Sequence, residues 1–248
     1  MLAYDGRPFS GWQSQPNGNG VQDYLQAALR AISNLDLAVV GSGRTDAGVH
    51  ALGQAAHVDV PPGRYPPDVW RRALNAHLPA TIRILRCRPV PATFHAQHAA
   101  KRKSYLYRVW LEDTLHPLEI GRSWHFPWPI TFTLLVQAAE RLAGTHDFAA
   151  FAANRGQPEL STVRTLYGVR VRRAGPLLTL HFEGNGFLYR MVRLLTGSLL
   201  QVGAGRKDMP WLERLLTAPA GQKTNHCAPP HGLYLESVKY RVYSPPDP

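Results

Sequence analysis

The chain has 248 residues, of which 44% are hydrophobic, a composition typical of a globular protein rather than a disordered one. Its 28 Lys and Arg residues outnumber its 17 Asp and Glu residues and give a net charge of +11; 23 of the basic residues are arginines. No apolar run approaches the roughly eighteen residues of a membrane span, and residues 1–9 lack the layout of a signal peptide, so we expect neither a membrane protein nor a secreted one. Cys87 and Cys227 are the only cysteines, too few for a disulfide framework or a zinc site, which favours a reducing, cytoplasmic location.

The basic excess is concentrated in one part of the chain. Between Val69 and Leu111 there are nine basic residues and no acid: Arg71, Arg72, Arg83, Arg86, Arg88, Lys101, Arg102, Lys103 and Arg108. The planar fork of arginine suits phosphate, so this cluster favours a polyanionic partner, nucleic acid before membrane. An arginine-rich proteome would produce the same excess, and charge alone does not decide between the two.

The first half of the chain alternates strands and helices. Helical spacing of Val21, Leu25 and Ala28 predicts a helix, with Asn19 as its cap and Gln22 in the capping-box position. A short strand at 38–41, a glycine-rich bend and a strand in "GQAAHVDV" follow. A helix in "PPDVWRRALNAHLP" and a strand in "TIRILRCRPV" complete a pattern typical of a ferredoxin-like unit.

The second half has the same kind of pattern. Strands are predicted in "KSYLYRVWL", "TVRTLYGVRVRRA", "LLTLHFEG" and "GLYLESVKYRV", and helices in "TFTLLVQAAERLAG" and "FLYRMVRLLTGSLLQVG". Gly175-Pro176 is the turn between the second and third of these strands. We therefore predict an α+β fold with an N-terminal subdomain at 1–99, a C-terminal subdomain at 100–243 and a disordered tail at 244–248.

The glycine-rich bend lies in the stretch "GSGRTDAGVHALGQ", which contains a single carboxylate, Asp46. A loop between two strands often presents functional groups on a rigid scaffold. Gly43 and Gly48 would permit a positive φ or a close approach of a ligand, and Arg44 could bind a phosphate. Alternatively, an aspartate in a tight turn only hydrogen-bonds its own backbone.

A basic run, Lys101, Arg102 and Lys103, leads into a strand on which Tyr105 and Tyr107 share one face. A tyrosine beside cations suits a stacked base and its phosphate, since such stacking contributes about 1–3 kcal/mol per base. The competing interpretation is that both tyrosines point into the core.

A third group lies on the predicted helix "FLYRMVRLLTGSLLQVG". Tyr189 and Arg193 are four residues apart and would share a helix face. An arginine on a mostly apolar helix needs a carboxylate partner if it is buried. No acid lies between Glu183 and Asp208, so the partner must come from elsewhere, and Asp46 is one such acid.

Four motifs, "YDGRPFSGWQ", "GRTDAGVHALGQ", "FHA…KSYLY" and "FLYRMVRLLTGSL", occur in this order between Tyr4 and about Tyr240. Together they resemble the tRNA pseudouridine synthase A family, which modifies positions 38 to 40 of the tRNA anticodon arm. Two features depart from the family pattern: the first strand is short, and a serine stands before Tyr105 where arginine is expected. The second departure could weaken one phosphate contact.

The resemblance implies a role for each candidate residue. Asp46 matches the catalytic aspartate, Tyr105 the tyrosine that stacks on the target uracil, Arg193 the arginine that pairs with the aspartate, and Arg44 an arginine that helps to extrude the nucleotide. It also implies two ferredoxin-like halves that form one extended mixed or antiparallel sheet, flanked by helices, with a central basic cleft. The family acts on tRNA as a homodimer, without cofactor or metal, and we expect the same here, with Lys101, Arg102 and Lys103 binding RNA.

The chemistry agrees with the resemblance. Uridine isomerisation needs no redox step, and one ionised carboxylate suffices as nucleophile or base. Burial would favour the neutral form of that carboxyl group, and the guanidinium of Arg193 would oppose this effect. Two alternatives stay open on the sequence alone: a non-catalytic tRNA-binding or folding module, and a metal-dependent hydrolase that uses some of the 11 histidines.

Overall fold

The computed structural model describes residues 1–154, 156, 161–217 and 221–240. These residues form an α+β fold in which five α-helices flank a mixed sheet of nine strands, and two further strands pair separately. The predicted fold class is thus confirmed. The predicted tail at 244–248 lies outside the described residues.

The chain divides into two compact units. The first contains Met1–Lys101 together with the last strand from Leu235 onward, and the second contains Arg102–Tyr234. The division after Lys101 lies close to the boundary expected near residue 100. The last strand differs from the expectation, because from Leu235 it joins the first unit and not the C-terminal one.

The first unit contains five strands and two helices before residue 101. They are β1 (Leu2–Tyr4), α1 (Val21–Ser33), β2 (Val40–Gly41), β3 (His50–Gln54), β4 (Ala56–His57), α2 (Pro67–His77) and β5 (Ile82–Ile84). The sheet order here is β5-β1-β3, followed by the last strand, β11 (Leu233–Tyr240). The short β1 is central to this arrangement, since β3 and β5 both pair with it in antiparallel fashion. The strand predicted in "GQAAHVDV" is interrupted at Ala55, and β4 pairs instead with β2.

The start of helix α1 differs from the prediction by one residue. Gly20, not Asn19, is the N-cap. The carboxylate of Asp23 accepts a hydrogen bond from the Gly20 N–H at 2.8 Å, and this acid takes the place expected for Gln22. The side chain of Gln22 is used elsewhere, because it donates to the carbonyl oxygen of Val39 at 2.9 Å.

The second unit contains the longer strands and three helices. They are β6 (Ala100–Trp110), whose first two residues lie in the first unit, β7 (Trp124–His125), α3 (Phe132–Glu140), β8 (Gly144–Asp147), β9 (Val163–Ala174), β10 (Leu177–Gly184), α4 (Met191–Gly203) and α5 (Met209–Thr217). The sheet order is β6-β10-β9-β8, with β7 parallel to β6. Short 3-10 helices lie at Pro117–Glu119, Ala149–Phe151 and Pro230–Gly232. Helix α5 and strands β7 and β8 were not predicted.

Alternating side chains of β10 form the core of the second unit. Leu178, Leu180 and Phe182 are buried, and they stand opposite Val109, Tyr107 and Tyr105 of β6. Helix α4 is buried on nearly all sides, as expected for a helix that is apolar all round.

Helix α4 begins later than the sequence predicts. It starts at Met191, and Arg190 before it takes a left-handed conformation with φ 58°. Tyr189 therefore lies in a turn outside the helix, and the prediction that Tyr189 and Arg193 share a helix face is wrong. Within the described residues, no helix is both long and apolar enough to cross a bilayer.

Candidate active site

Asp46 lies in the bend that connects β2 to β3, residues 42–49. The main-chain oxygen of Asp46 accepts a hydrogen bond from the Val49 N–H at 3.1 Å, which closes a four-residue turn. Gly48, the third residue of this turn, has φ 78°, the positive value that a type II turn requires there. The hydrogen bond that closes the turn therefore uses the backbone of Asp46, whose side chain is half-buried.

The stretch "YDGRPFSGWQ" packs directly against this bend. The Trp12 N–H donates to the carbonyl oxygen of Thr45 at 3.0 Å, and the Tyr4 hydroxyl hydrogen-bonds the Thr45 hydroxyl at 2.8 Å. Gly11, with φ 100°, lies so close that a Cβ atom there would come within 2.6 Å of the Thr45 carbonyl oxygen. Two of the sequence motifs are thus neighbours in the structure, and one holds the backbone of the other.

A second set of contacts holds the beginning of the bend. The side-chain oxygen of Gln54, a fully buried residue at 0% exposure, accepts a hydrogen bond from the Ser42 hydroxyl at 2.6 Å. Its side-chain nitrogen donates to the carbonyl oxygen of Gly43 at 3.0 Å. The Ser42 N–H donates to the Ala55 carbonyl oxygen at 2.7 Å. The polar side chains beneath the bend are therefore satisfied by the bend itself.

The end of the bend is held by His50. Its Nδ1 accepts a hydrogen bond from the Gly6 N–H at 3.2 Å and lies 3.3 Å from the carboxylate of Asp5. The hydrogen bond from Arg7 is the main cause of the lowered pKa of Asp5, so this carboxylate stays ionised beside His50. Asp5 therefore serves as the ion partner of Arg7.

Of the other predicted site residues, Arg44 lies in the same bend and is exposed. Tyr105 belongs to β6 in the second unit, is 8% exposed, and makes an edge-to-face contact with Phe187 at 5.0 Å between ring centroids. Tyr107 is a core residue at 0% exposure, and its hydroxyl donates to the Pro229 carbonyl oxygen at 2.6 Å. Burial raises the pKa of Tyr107 well above its ordinary value, which keeps this hydroxyl neutral.

Arg193 lies in the first turn of α4 and is half-buried. Its Nε donates to the carbonyl oxygen of Ala228 at 2.8 Å, and the Ala228 N–H donates back to the Arg193 carbonyl oxygen at 3.1 Å. The segment at 224–228 is itself fixed along α4, where the hydroxyls of Ser198 and Thr224 lie 2.9 Å apart. The guanidinium of Arg193 is thus held in a defined orientation by a backbone carbonyl.

The basic run is less uniform than its sequence suggests. Lys101 is exposed, whereas the guanidinium of Arg102 stacks on the ring of Tyr167 at 4.3 Å and lies 3.3 Å from the carboxylate of Glu183. Burial, followed by the charge of Arg164, lowers the pKa of Lys103. Other members of the nine-residue basic cluster also have partners inside the protein: Arg72 with Asp68, Arg108 with Glu119, and Arg83 with backbone carbonyls.

His95 and His98 do not form part of a recognisable metal site. Their rings lie 4.2 Å apart, and the Nδ1 atom of His95 accepts hydrogen bonds from the N–H groups of Gln97 and His98. Over the residues that the structure describes, no three His, Cys, Asp or Glu side chains are placed to hold a metal ion.

The sequence interpretation overlooked the residues that support the bend: Tyr4, Gly11, Trp12, Thr45 and Gln54. A signal was present for two of them, since Gly11 and Trp12 lie in a stretch with glycines and aromatic residues close together, which indicates a close backbone approach. Nothing local indicated that Gln54 faces back toward Gly43.

Comparison with known proteins identifies the family. A family model described as tRNA pseudouridine synthase matches residues 1–98 and 138–241. This chain belongs to that family. The stretch with the bend and the stretch with helix α4 both lie within the matched residues.

Curated relatives match over nearly the whole chain. The tRNA pseudouridine synthase A of Akkermansia muciniphila is 45% identical, over 96% of this chain and 92% of its own length. The proteins of the same name from Halalkalibacterium halodurans and Methylacidiphilum infernorum are 41% and 40% identical, over 94% and 99% of this chain and 88% and 94% of their own lengths. Among solved structures, a chain of a Cbf5-Nop10-Gar1 complex is 12% identical with a TM-score of 0.34, over 82% of this chain and 54% of that chain, a likeness too weak to define the fold.

The predicted family, the enzyme class and the tRNA substrate are confirmed by this membership. The chain is an isomerase that converts uridine to pseudouridine in tRNA. The non-catalytic module and the metal-dependent hydrolase are therefore disfavoured as accounts of the whole protein.

Proposed function

We propose that this enzyme isomerises uridine at positions 38, 39 or 40 of the tRNA anticodon stem-loop, with Asp46 as the catalytic carboxylate. The observation that carries the proposal is the design of the bend at 42–49. Its turn is closed by backbone atoms and its floor is held by Tyr4, Ser42 and Gln54, so the bend presents Asp46 on a rigid support. A rigid loop that carries a half-buried acid suits catalysis, because a catalytic group must be held in place.

The reaction requires little beyond a positioned carboxylate. The C1′–N1 bond of uridine breaks, the uracil turns, C5 joins C1′, and the proton lost from C5 is balanced by one gained at N1. Asp46 acts either as a nucleophile or as the base that starts elimination, and no electron is gained or lost overall. The chain's own residues must therefore hold an ionised oxygen at the base–sugar junction and exclude water from it.

The other candidate residues take supporting roles in this proposal. Tyr105 contacts the target uracil, Arg44 occupies the place of the extruded nucleotide, and the run Lys101–Lys103 contacts phosphates. Extrusion of a base from a stem costs a few kcal/mol, which stacking and phosphate contacts would offset. The exposed position of Arg44, two residues before Asp46, supports its assignment.

The pairing of Asp46 with Arg193 is part of the proposal and rests on the two family motifs. The double replacement tests it. If the guanidinium acts through the carboxylate, Asp46→Asn combined with Arg193→Gln should be no slower than Asp46→Asn alone, whereas independent roles would multiply the two losses. Homodimer formation and a cytoplasmic location also stay proposals; light scattering should show a particle of twice 27.6 kDa.

The decisive experiment replaces Asp46 by asparagine. An unmodified tRNA transcript is incubated with enzyme, without added cofactor, and pseudouridine at 38–40 is mapped by carbodiimide chemistry. Asp46→Asn should remove product formation, a loss of at least about a thousandfold, while tRNA binding persists, because an amide cannot replace an ionised carboxylate as nucleophile or base. Asp59→Asn, an exposed acid of the same unit, is the matched control and should retain wild-type turnover. Near-normal turnover of Asp46→Asn would overturn the mechanism, and product at other positions would overturn the site assignment.

A further inference from the structure

We propose that Tyr4 and Gln54 are positioning residues that set the place of the Asp46 carboxylate without touching the substrate. They act through two residues of the bend, Thr45 and Gly43. This inference rests on the proposed function, since it assumes that Asp46 performs the chemistry.

The first contact of this support lies directly beside Asp46. Tyr4 and Thr45 are both buried, at 4% and 7% exposure, and their hydroxyl oxygens are 2.8 Å apart. Thr45 is also held by its main chain, because its carbonyl oxygen accepts the Trp12 N–H at 3.0 Å. With side chain and backbone both fixed, the residue that precedes Asp46 has little freedom to shift or rotate.

The second contact lies at the beginning of the bend. The amide of Gln54 bridges two bend residues, because its oxygen accepts the Ser42 hydroxyl and its nitrogen donates to the Gly43 carbonyl oxygen. The same oxygen accepts the Ala55 N–H at 3.2 Å, so the amide orientation is defined by three partners. An amide with both ends occupied cannot turn over without breaking at least two of these bonds.

The pattern of burial along the bend agrees with separate roles for the residues that are held and for those that face the tRNA. Ser42 and Thr45, two of the three residues held from beneath, are buried, whereas Arg44 is exposed and Asp46 is half-exposed. The residues that are held thus lie directly beside those assigned to the tRNA. Packing alone does not require the four polar side chains of Tyr4, Ser42, Thr45 and Gln54, since apolar groups of the same shape would fill the space. Hydrogen bonds differ from apolar contacts because they also fix orientation.

The expected effect on turnover is larger than the effect on folding. Loss of one hydrogen bond beneath the bend removes a modest part of the stability. A displacement of a catalytic group by about 1 Å can nevertheless cost about a hundredfold in rate. Burial raises the pKa of Tyr4 to about 12, so its hydroxyl stays neutral and the effect of losing it should be the same across pH 6–9.

The experiment compares variants that remove or keep each hydroxyl. Tyr4→Phe and Thr45→Val should lower kcat on a tRNA transcript by about ten- to a hundredfold, with KM unchanged within about twofold. Thr45→Ser keeps the hydroxyl and should restore most of kcat. Because both replacements remove the same hydrogen bond, Tyr4→Phe with Thr45→Val together should be no slower than the slower single variant. Gln54→Leu should behave like Tyr4→Phe.

The control for a merely structural effect is Ser33→Ala. Ser33 is buried at 1% exposure in the same unit, and its hydroxyl bonds the Leu29 carbonyl oxygen at 2.8 Å, at the far end of helix α1. Single-turnover rates are measured well below the unfolding temperature and normalised to the tRNA-binding fraction. Ser33→Ala should lose a similar amount of thermal stability and keep its kcat.

Each outcome of these measurements supports or overturns the positioning role of Tyr4 and Gln54. A wild-type kcat in folded Tyr4→Phe, or a loss of kcat in Ser33→Ala as large as in Tyr4→Phe, overturns the inference. If Thr45→Val does not fold, Tyr4→Phe and Thr45→Ser decide alone. If Asp46→Asn is inactive while Tyr4→Phe and Gln54→Leu turn over normally, only the positioning role fails; if Asp46→Asn remains active, the proposed function fails first.

Discussion

Two connections between consecutive strands differ sharply in how they are built. The turn between β9 and β10 consists of Gly175 and Pro176. Gly175 has φ 57°, and a Cβ atom added there would meet no atom within 4 Å. The bend between β2 and β3 is instead gripped along its length by residues from β1, the following loop and β3. A connection that only reverses the chain needs local turn residues, whereas one that presents a functional side chain recruits distant ones.

The two connections should differ in where they are sensitive to mutation. In the exposed turn the conformation is encoded by the two turn residues themselves. In the bend at 42–49 it is encoded partly by Tyr4 and Gly11, which are more than thirty residues away in the sequence. Replacements of Tyr4 or Gly11, although far from Asp46 in the sequence, should therefore disturb the bend strongly. Replacements in the β9–β10 turn should leave the bend unchanged.

The largest contrast is expected between two glycine replacements. Gly11→Ala places a Cβ atom 2.6 Å from the Thr45 carbonyl oxygen at a residue with φ 100°, and the combined clash and backbone strain should cost at least about 3 kcal/mol. Gly175→Ala meets only the strain of a positive φ, about 1 kcal/mol. Chemical denaturation of both variants measures the difference. Equal losses in the two variants would contradict the view that the bend is held from outside.

A smaller contrast is expected between two arginines. Arg44 lies exposed in the bend, and Arg173 lies exposed beside the β9–β10 turn, where its Nε donates to the Gly175 carbonyl oxygen at 3.1 Å. Arg44→Ala should lower kcat/KM by about tenfold, which is about 1.4 kcal/mol. If Arg44 also contacts a phosphate, the slope of log affinity for tRNA against log salt should become less steep by about 1.

Arg173→Ala is the matched control for that measurement and should change kcat/KM by less than about twofold. The wild-type enzyme should itself lose tRNA affinity steeply as salt rises, because several phosphate contacts release counterions. A salt-independent affinity would argue against a basic tRNA-binding surface altogether. An Arg44→Ala variant with an unchanged slope would remove Arg44 from the phosphate contacts.

Local patterns predicted most helices and strands. Helices α1 and α2 carry regular apolar spacing, and α2 ends at His77, two residues before Pro79. The start of α4 was missed because Phe187, Leu188 and Tyr189 extend the apolar pattern of the helix toward its N-terminus. Nothing local in the sequence indicates that Arg190 takes the left-handed conformation that precedes the helix. The return of β11 to the first unit from Leu235 depends on pairing between distant strands, which periodicity does not encode.

The sequence suggests which residues form the candidate site but not which residues support them. Asp46 and Arg44 stand out because few acids and many glycines surround them. The hydrogen bond between Tyr4 and Thr45 joins residues 41 positions apart. They lie close together because β1 pairs with β3 in antiparallel fashion. Contacts of this kind belong to tertiary structure. They are invisible to spacing rules that operate within one helix or one strand.

The smallest expected effect concerns alkaline stability and isolates the hydroxyl beneath the bend. Burial raises the pKa of Tyr4 from 10.0 to about 12. Between these values the unfolded chain has lost this proton while the folded chain retains it, so stability falls as pH rises from 10 toward 12, by at most about 1.4 kcal/mol per pH unit for this group. Tyr4→Phe removes the effect and should flatten the pH dependence of the urea midpoint between pH 9.5 and 11.

Two other tyrosines limit how far the curve can flatten. Burial also raises the pKa of Tyr107 and of Tyr240, so these groups contribute to the wild-type decline and Tyr4→Phe should remove only part of it. Ser33→Ala, which removes a buried hydroxyl that does not titrate in this pH range, is the control and should leave the alkaline decline as it is in the wild type. If the stability of Tyr4→Phe falls with pH as steeply as that of the wild type, the Tyr4 hydroxyl is accessible to solvent. The bend would then not be held by a buried hydroxyl.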